Sequence, residues 1–331
     1  MSDNNLEMLI IGAGPAGISM GVEAISSGID ASKVVIIEKA PEHSYMIRKF
    51  YPEQKLVTAN YKGKAAVCSG VMCIPDYSKS ETLTYLDQAI EKNQLQVRYE
   101  ETAWKLEKLE DGDFKVFTDK SEFRTKTCII AIGMMGKPNK PDYQIPSSIR
   151  DKVHFDITSK KIENSKVLVI GGGDSASEYV QYLSQEGNQV DLSYRKDSFS
   201  RMNEINQASL FALETRGATK LFLNTNAIGL EEKNGQVQVN FAEQECALRI
   251  YDNVVYALGG TSPTNFLKLL KIEFSGTDEP IVKEGFETSV PGLFLIGDLS
   301  AGKRGGSIIS AFNSSHEAMK KICNDYLTCK I

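Results

Sequence analysis

Two glycine-rich segments, each between an apolar run and a helical pattern, constrain the fold of this chain most strongly. The first, residues 12–17 (GAGPAG), follows the apolar run at 8–11, and the second, residues 171–176 (GGGDSA), follows the run at 167–170. A strand-like run then follows each predicted helix, at 34–37 and at 189–193. Strand, tight turn, helix and strand make a βαβ unit, so we predict an α/β protein with two Rossmann-like dinucleotide-binding domains.

The segment between these two units predicts a domain boundary. Residues 136–141 (GKPNKP) are rich in residues that interrupt helices and strands, and we expect the chain to cross between domains there. Both halves contain a later strand that ends in glycine, at 128–133 and at 253–260, so their similarity extends past the βαβ units. The predicted domains are a discontinuous one, residues 1–137 with 259–331, and a second one at 138–258.

The first glycine-rich segment has the residues that a bound pyrophosphate requires. A helix N-terminus presents unpaired backbone N–H groups and the positive end of the helix dipole to an anion. Gly12, Gly14 and Gly17 fill the positions where a Cβ would obstruct the turn, the phosphates or the packing of helix on strand. Glu38 ends the next strand, where a carboxylate accepts hydrogen bonds from both ribose hydroxyls and selects a ribose without a 2′-phosphate.

The second segment differs from the first at its ribose position. Its fingerprint consists of Gly171, Gly173 and Ala176. The residues at and after the end of the next strand are Ser193, Arg195, Lys196 and Arg201. Adjacent cations without an acid suit a 2′-phosphate, because a guanidinium binds phosphate through paired charge-assisted hydrogen bonds, so we expect NADPH rather than NADH. The alternative is an ordinary solvated cluster of charges after a strand.

Composition narrows the possible function classes. The chain has 43 acidic and 38 basic residues, a net charge of -5, so bulk electrostatics does not support a nucleic-acid or anionic-membrane partner. No stretch offers the roughly 18 uncharged apolar residues of a membrane span, and the first residues do not resemble a secretion signal, so we expect a cytoplasmic protein. The six cysteines are too few and too scattered to predict a disulfide framework, and no metal site is predicted.

Six segments together resemble the low-molecular-weight thioredoxin reductase-like flavoproteins. They are residues 11–17, 131–133, 171–176, 195–199, 258–264 and 295–298. The resemblance implies the three-layer ββα/βαβ architecture of that group, with FAD in the first domain and NADPH in the second. It also implies a homodimer.

The fingerprints and the resemblance together imply a set of cofactor-binding residues. For FAD they are Gly12, Gly14, Pro15, Ala16, Gly17, Glu38, Lys39, Ala131, Gly133, Gly297, Asp298, Ser307 and Ile308. For NADPH they are Gly171, Gly173, Asp174, Ser175, Ala176, Ser193, Arg195, Lys196, Arg201 and Gly259. The resemblance implies that Asp298 binds the ribityl and phosphate region. It also implies that a terminal helix starting near Ser307 points its N-terminus at the flavin pyrimidine ring, where it favours negative charge.

One departure from the resemblance changes the expected chemistry. Thioredoxin reductases carry a CxxC pair shortly before the second glycine motif, and His154 and Ile157 occupy those two places here. We therefore expect FAD, reduced by a hydride from NADPH, to pass electrons directly to flavodoxin, ferredoxin or a quinone. Among relatives without the CxxC, the chain most resembles the flavodoxin:quinone reductase and ferredoxin (flavodoxin) NADP reductase types.

Several further functions stay open at this point. Cys68 and Cys73 are a candidate redox pair, but they lie 30 residues past Glu38, which is farther than in the wider superfamily and favours structural or incidental cysteines. The chain could also be a low-molecular-weight disulfide reductase without its own redox cysteines, a flavin monooxygenase, whose FxGxxxH pattern is absent, or a non-catalytic NADPH sensor. The histidines, expected to be surface or packing residues, are His43, His154 and His316.

Overall fold

Parallel β-sheets form the centre of both halves of the chain in the computed structural model. The structure describes residues 5–51, 53, 55–57, 60–61, 64–65, 67–134, 138–157, 160–202, 204–243, 248–259, 264–276, 279–301 and 306–329. Parts of two predicted features lie outside the described residues. They are residues 136–137 of the predicted domain crossing and residues 260–263 of the family-like segment 258–264. The chain divides into a first unit of residues 1–48, 56–134 and 262–331 and a second unit of residues 49–55 and 135–261.

The first unit contains a seven-stranded sheet, and its elements are numbered in the order of the whole chain. The seven strands of this sheet are β1 (Asn5–Ile11), β2 (Val34–Ile37), β5 (Gln96–Arg98), β6 (Ala103–Lys108), β7 (Phe114–Thr118), β8 (Glu122–Ile130) and β17 (Leu293–Leu295). A separate two-stranded sheet consists of β3 (Asn60–Tyr61) and β4 (Lys64–Ala65). The helices of the first unit are α1 (Pro15–Ser26), α2 (Tyr45–Phe50), α3 (Lys79–Lys92), α6 (Thr264–Leu269), α7 (Asp298–Ala301) and α8 (Ile308–Asp325). The last two residues of α2 belong to the second unit.

The order of the strands brings several strand ends to one edge of this sheet. The order is β5-β2-β1-β8-β7-β6, with β17 paired to β8. The β8–β7 and β7–β6 pairs are antiparallel, and the other pairs are parallel. The last residues of four parallel strands lie in register, namely Ile11, Ile37, Ile130 and Leu295. The residues that follow these strands therefore meet at the same edge, as in other open α/β sheets that bind ligands there.

The second unit repeats this plan with a five-stranded parallel sheet. Its strands are β9 (Val153–His154), β10 (Lys166–Ile170), β11 (Gln189–Tyr194), β12 (Thr219–Leu223), β13 (Ala227–Lys233), β14 (Gln236–Phe241), β15 (Leu248–Tyr251) and β16 (Asn253–Tyr256), and its helices are α4 (Asp174–Gln185) and α5 (Glu204–Thr215). The parallel sheet has the order β12-β11-β10-β16-β9, and β13, β14 and β15 form a separate antiparallel sheet.

Alternation along β10 explains why the second unit has three layers. Successive strand residues point to opposite faces of a sheet, and β10 is buried on both faces. Val167 and Val169 pack in one core with residues of α4, whereas Leu168 packs in another core with Leu230 and Val237 of the antiparallel sheet. The predicted α/β fold with two dinucleotide-binding domains and three-layer architecture is confirmed.

Candidate cofactor-binding sites

Close backbone packing fixes the first glycine turn, which follows β1. The Gly12 N–H donates to the Ile37 carbonyl (2.8 Å), and the Ala131 N–H donates to the Ile11 carbonyl (2.8 Å). Gly12 has a φ of 108°, and a Cβ on it would lie 2.5 Å from the Ala131 oxygen. A Cβ on Gly17 would lie only 1.9 Å from the Gly12 oxygen. Glycine at both positions is therefore required for α1 to approach the sheet.

Gly14 occupies the open side of the same turn. A Cβ on Gly14 would meet no described atom within 4 Å. Gly14 is the N-cap of α1, no described side chain caps this helix, and Pro15 at its first position has no N–H to satisfy. An uncapped helix N-terminus below open space fits the pyrophosphate of a dinucleotide, which the first-turn N–H groups and the helix dipole would stabilise.

Glu38 lies beside this turn and is half-buried. One carboxylate oxygen accepts a hydrogen bond from the Ala13 N–H (2.9 Å), and the other accepts one from the Ala40 N–H (2.9 Å). These bonds fix the carboxylate against the glycine turn, and each oxygen keeps capacity for a further donor. Lys39 is exposed. The carboxylate therefore fits the ribose hydroxyls that the sequence predicted for it.

Gly297 and Asp298 complete the same edge of the sheet after β17. Gly297 has a φ of 75°, and a Cβ on it would lie 3.0 Å from the Cβ of Ala16 in the first turn of α1. A Cβ on Gly306 would lie 2.2 Å from Oδ1 of Asp298. The Asp298 side chain is exposed, yet surrounding protein atoms desolvate its carboxyl and raise its pKa above the usual value. A carboxyl that is open to solvent and crowded by protein fits the wall of a ligand cavity.

The terminal helix α8 packs against α1 and begins near Asp298. Ser315 donates from its hydroxyl to the Ala16 carbonyl (2.9 Å), which fastens the two helices together. Ser307 is the N-cap of α8 and accepts a hydrogen bond from the Ser310 N–H (3.1 Å). Gly133, which follows β8, has a φ of 66°. The structure thus brings most predicted FAD residues to the edge where β1, β2, β8 and β17 end.

The second glycine turn, after β10, repeats the geometry of the first. The Gly171 N–H donates to the Ser193 carbonyl (3.0 Å), and a Cβ on Gly171 would lie 2.4 Å from the Ala257 oxygen. Gly173 is the N-cap of α4; no described side chain caps it, and a Cβ on it would meet no described atom within 4 Å. Ala176 is fully buried behind the turn. This turn also fits a pyrophosphate, with Asp174 and Ser175 in its first helical turn.

Arg201 lies directly beside the second turn, because its backbone pairs with that of Gly173 in a parallel bridge. The Arg201, Arg195 and Lys196 side chains are all exposed. Asn139 donates from its backbone N–H to the carbonyl of Gly259 (2.8 Å), whose φ is 76°. An exposed arginine therefore lies beside the second turn, whereas the Glu38 carboxylate lies beside the first.

Ser193 is not placed as the sequence predicted. It is fully buried, and its hydroxyl lies 2.8 Å from Oγ1 of Thr225 in a mutual hydrogen bond. A hydroxyl that is already paired inside the core is not available to a ribose. Thr225 lies 32 residues farther along the chain, and no local pattern around Ser193 indicates this pairing.

Sequence reasoning missed a lysine that reaches the second unit from the first half of the chain. Lys55 forms an ion pair with Glu178 of α4 (2.8 Å), and its ammonium lies 3.9 Å from the centre of the Tyr51 ring. Burial acts to lower the pKa of Lys55, but Tyr51, Glu178 and Asp174 outweigh it and raise the pKa above its usual value. Lys55 therefore stays charged close to the first turns of α4.

The three histidines lie in three different settings. His43 is buried, and its Nε2 lies 2.6 Å from Oδ1 of Asp87 and 2.6 Å from a guanidinium nitrogen of Arg48. Desolvation lowers the pKa of His43 below its usual value, against the opposing effect of Asp87. His154 is half-buried in β9 and hydrogen-bonds to Asn253 (3.0 Å). His316 is half-buried beside Glu23 of α1.

The structure contains two disulfide bonds, although the sequence predicted no disulfide framework. Cys68 is bonded to Cys73, the candidate redox pair, and Cys323 is bonded to Cys329, a pair that was not predicted although the two positions are only six residues apart. Cys323 lies in the last turns of α8, and the chain folds back after Leu327, which brings the two Cα atoms to 5.2 Å. Cys128 is the one free cysteine among the described residues, and burial raises the pKa of its thiol.

The positions that hold a CxxC pair in thioredoxin reductases carry no thiols here. His154 pairs with Asn253, and Ile157 is buried in the core of the second unit with residues of α4. Neither side chain supports disulfide chemistry.

None of the helices within the described ranges is long and apolar enough to cross a membrane.

Comparison with known proteins places this chain in one class of enzyme. The sequence profile described as pyridine nucleotide-disulphide oxidoreductase matches residues 9–297, so the chain belongs to this family. It is an NADPH-dependent flavin oxidoreductase, and its cofactors are FAD and NADPH.

Curated relatives carry a more specific name. Ferredoxin–NADP reductase 2 of Shouchella clausii is 26% identical over 300 residues, which cover 89% of this chain and 85% of the relative. Ferredoxin–NADP reductase of Metallosphaera sedula is 25% identical over 307 residues, with coverage of 89% and 85%. The match thus extends over most of both proteins in each pair.

Solved structures agree in fold. The bacillithiol disulfide reductase of Staphylococcus aureus has a TM-score of 0.79 at 20% identity, with 97% of this chain and 99% of that chain covered. The thioredoxin reductase of T. acidophilum has a TM-score of 0.78 at 21% identity, with the same coverage. These structures confirm the thioredoxin reductase-like fold that the sequence motifs implied.

The packing of the first glycine turn can be tested by two alanine substitutions. Replacing Gly17 by alanine should destabilise the protein by about 1–3 kcal/mol or more, because the new Cβ would overlap the Gly12 carbonyl. The matched variant Gly14→Ala makes the same chemical change in open space and should cost at most about 1 kcal/mol. Urea unfolding of the FAD-free variants measures both; equal losses of stability would contradict the packing described above.

Proposed function

We propose that this chain oxidises NADPH and reduces a ferredoxin-type electron carrier, with FAD bound at the first glycine turn and NADPH at the second. Residues 1–137 and 259–331 are then the FAD domain, and residues 138–258 are the NADPH domain. The proposed carrier is ferredoxin or flavodoxin, and a quinone is a further possible acceptor. The proposed setting is the cytoplasm, and the proposed assembly is a homodimer.

The observation that carries the assignment is the difference between two turns of the same geometry. At the first turn, a carboxylate held by the Ala13 and Ala40 N–H groups accepts hydrogen bonds from a ribose and repels a phosphate. At the second turn, Arg201 is paired by its backbone to Gly173 and extends into solvent. An arginine there attracts a 2′-phosphate, so the first turn suits FAD and the second suits NADPH.

The FAD domain contributes further groups around the same edge. Asp298 is proposed to accept hydrogen bonds from the ribityl hydroxyls, because it follows β17 and lies near the N-terminus of α8. The positive end of α8, capped by Ser307, favours negative charge on whatever lies in front of it. Gly297 admits this arrangement, since its positive φ lets α7 begin directly against Ala16.

The chain supplies binding and orientation rather than an acid or base. The chemistry that the two cofactors supply when bound is hydride transfer followed by release of electrons to the acceptor. The two glycine turns anchor the pyrophosphates, and the rigid strands behind them fix where each dinucleotide lies. The described histidines hydrogen-bond to Asp87 and Arg48, to Asn253 and to Glu23, and the proposed hydride transfer requires no proton donor from them.

Two findings support a carrier protein as the acceptor. Curated relatives matched over most of their length are named ferredoxin–NADP reductase. The two positions of the thioredoxin reductase CxxC carry His154 and Ile157, so electrons have no dithiol relay at that place. Direct reduction of a carrier needs no such relay.

The nucleotide assignment predicts a selective kinetic defect. Replacing Arg201 by alanine, or Arg195 and Lys196 together, should raise the KM for NADPH by about 10-fold or more and leave the KM for NADH nearly unchanged, because a charge-assisted phosphate contact is lost. Lys233→Ala, which removes an exposed cation from the β13–β14 turn, is the matched control and should change neither value. Steady-state oxidation with ferricyanide measures all four proteins. Equal effects on NADPH and NADH would refute the assignment.

The acceptor is tested by an anaerobic screen of the FAD-loaded enzyme with NADPH. We expect sustained NADPH oxidation with ferredoxin or flavodoxin, and none with thioredoxin or low-molecular-weight disulfides. Turnover with disulfides alone would replace this proposal with a disulfide reductase. A single stoichiometric reduction that then stops with every acceptor would indicate an NADPH sensor instead.

A further inference from the structure

The loop closed by the Cys68–Cys73 bond is held by side chains of three helices. The Ser69 N–H donates to Oδ1 of Asn313 on α8 (3.0 Å), and Asn313 donates from Nδ2 to the Val67 carbonyl (2.8 Å). At the other end of the loop, the Cys73 N–H donates to the Tyr85 hydroxyl on α3 (3.1 Å). The loop is therefore attached to the first unit by contacts that do not involve its sulfur atoms.

A buried carboxylate holds the middle of this loop. Glu23 of α1 is 3% exposed; its Oε1 accepts a hydrogen bond from the Val71 N–H (2.6 Å), and its Oε2 lies 3.1 Å from Nδ1 of His316. A Cβ on Gly70 would lie 2.2 Å from Oε1 of Glu23, so only glycine lets the loop approach this carboxylate. A buried carboxylate without hydrogen-bond donors destabilises a protein, so the Glu23–Val71 hydrogen bond favours one position of the loop.

The two sulfur-bearing residues differ in access. Cys73 is exposed and Cys68 is half-buried, while Met72 between them is 2% exposed. Two apolar side chains flank the exposed bond, namely Val67, 80% exposed, and Val71, 56% exposed. An exposed disulfide with an apolar border fits a protein partner that presents its thiol from an apolar surface better than it fits a small charged thiol.

We propose that the Cys68–Cys73 disulfide is a thiol–disulfide exchange site for a small protein that carries a neighbouring pair of thiols. The partner's thiolate attacks Sγ of Cys73 and forms a mixed disulfide, and Cys68 leaves as a thiolate and takes up a proton. The partner's second thiolate then attacks the partner's first sulfur, which is bonded to Cys73 in the mixed disulfide. Cys73 is released as a thiolate and takes up a proton. Two electrons and two protons pass to this chain, and the partner becomes a disulfide.

The anchors make this exchange reversible. Glu23, Asn313 and Tyr85 hold the loop backbone whether or not the sulfur atoms are bonded, so the two cysteines stay near their Cα separation of 5.7 Å after reduction. In the reverse exchange, Cys73 attacks the partner's disulfide and forms the mixed disulfide, and the Cys68 thiolate, held at that distance, then attacks Sγ of Cys73 and releases the partner's two thiols. The site uses neither glycine turn and is independent of the proposed NADPH and carrier chemistry.

The second disulfide supplies a matched control for the experiment. The oxidised, FAD-loaded protein is mixed with stoichiometric reduced thioredoxin, quenched with iodoacetamide and analysed by peptide mass spectrometry. We expect Cys68 and Cys73 to become alkylated about 10-fold or more faster than Cys323 and Cys329, both of which are half-buried. Equal rates for the two pairs, or opening of Cys68–Cys73 only in denaturant, would overturn the proposal.

A surface variant tests the protein partner separately from the sulfur chemistry. Val67→Asp places a charge on the apolar border and should slow reduction by thioredoxin about 5-fold or more, while reduction by dithiothreitol stays unchanged. Equal slowing by both reductants would show that the substitution alters the disulfide itself and would refute the docking role. Thr328→Asp, an exposed position beside the control disulfide, should leave reduction of Cys68–Cys73 unchanged. NADPH oxidation with a carrier should persist in the Cys68→Ser/Cys73→Ser variant, so the two proposals fail independently.

Discussion

The contact between a glycine turn and the carbonyl that follows a neighbouring strand constrains both halves of this chain. In the first unit, the Ala131 oxygen fills the place where a Gly12 side chain would be. In the second unit, the Ala257 oxygen fills the same place at Gly171. These contacts fix both turns, and α1 and α4 each begin without a side-chain cap at an open glycine, which is the arrangement that stabilises a pyrophosphate.

The same turn can serve the two nucleotides that we propose because the side chains that distinguish them lie outside the turn. The register of the parallel strands brings the residue after the second strand beside the glycine turn in both units. In the first unit that residue is Glu38, held by two backbone N–H groups. In the second unit Ser193 is in register with Ile170 as Ile37 is with Ile11, so Tyr194 takes the position of Glu38. The charged groups that follow are Arg195, Lys196 and Arg201. Duplication of the fold thus leaves the choice of nucleotide to a few side chains at one edge of each sheet.

Most of the fold could be predicted from the sequence because the informative patterns are local. The strands of both βαβ units and the ends of α1 and α4 follow from apolar runs and glycines within about a dozen residues. Ser193 and the segment at 49–55 could not be predicted, since they depend on Thr225 and Glu178, which are distant in the chain. The bridge between Arg201 and Gly173 is likewise long-range, although the sequence had already indicated Arg201 as a candidate residue.

The measurement that tests the central claim most directly is calorimetric binding of two fragments of the pyridine nucleotide to the FAD-loaded protein. We expect adenosine 2′,5′-bisphosphate to bind one site per chain about 10-fold or more tighter than adenosine 5′-monophosphate, because the two fragments differ only in the phosphate that the cations near Gly173 would bind. Equal affinities, or release of FAD by either fragment, would contradict the assignment of different nucleotides to the two turns.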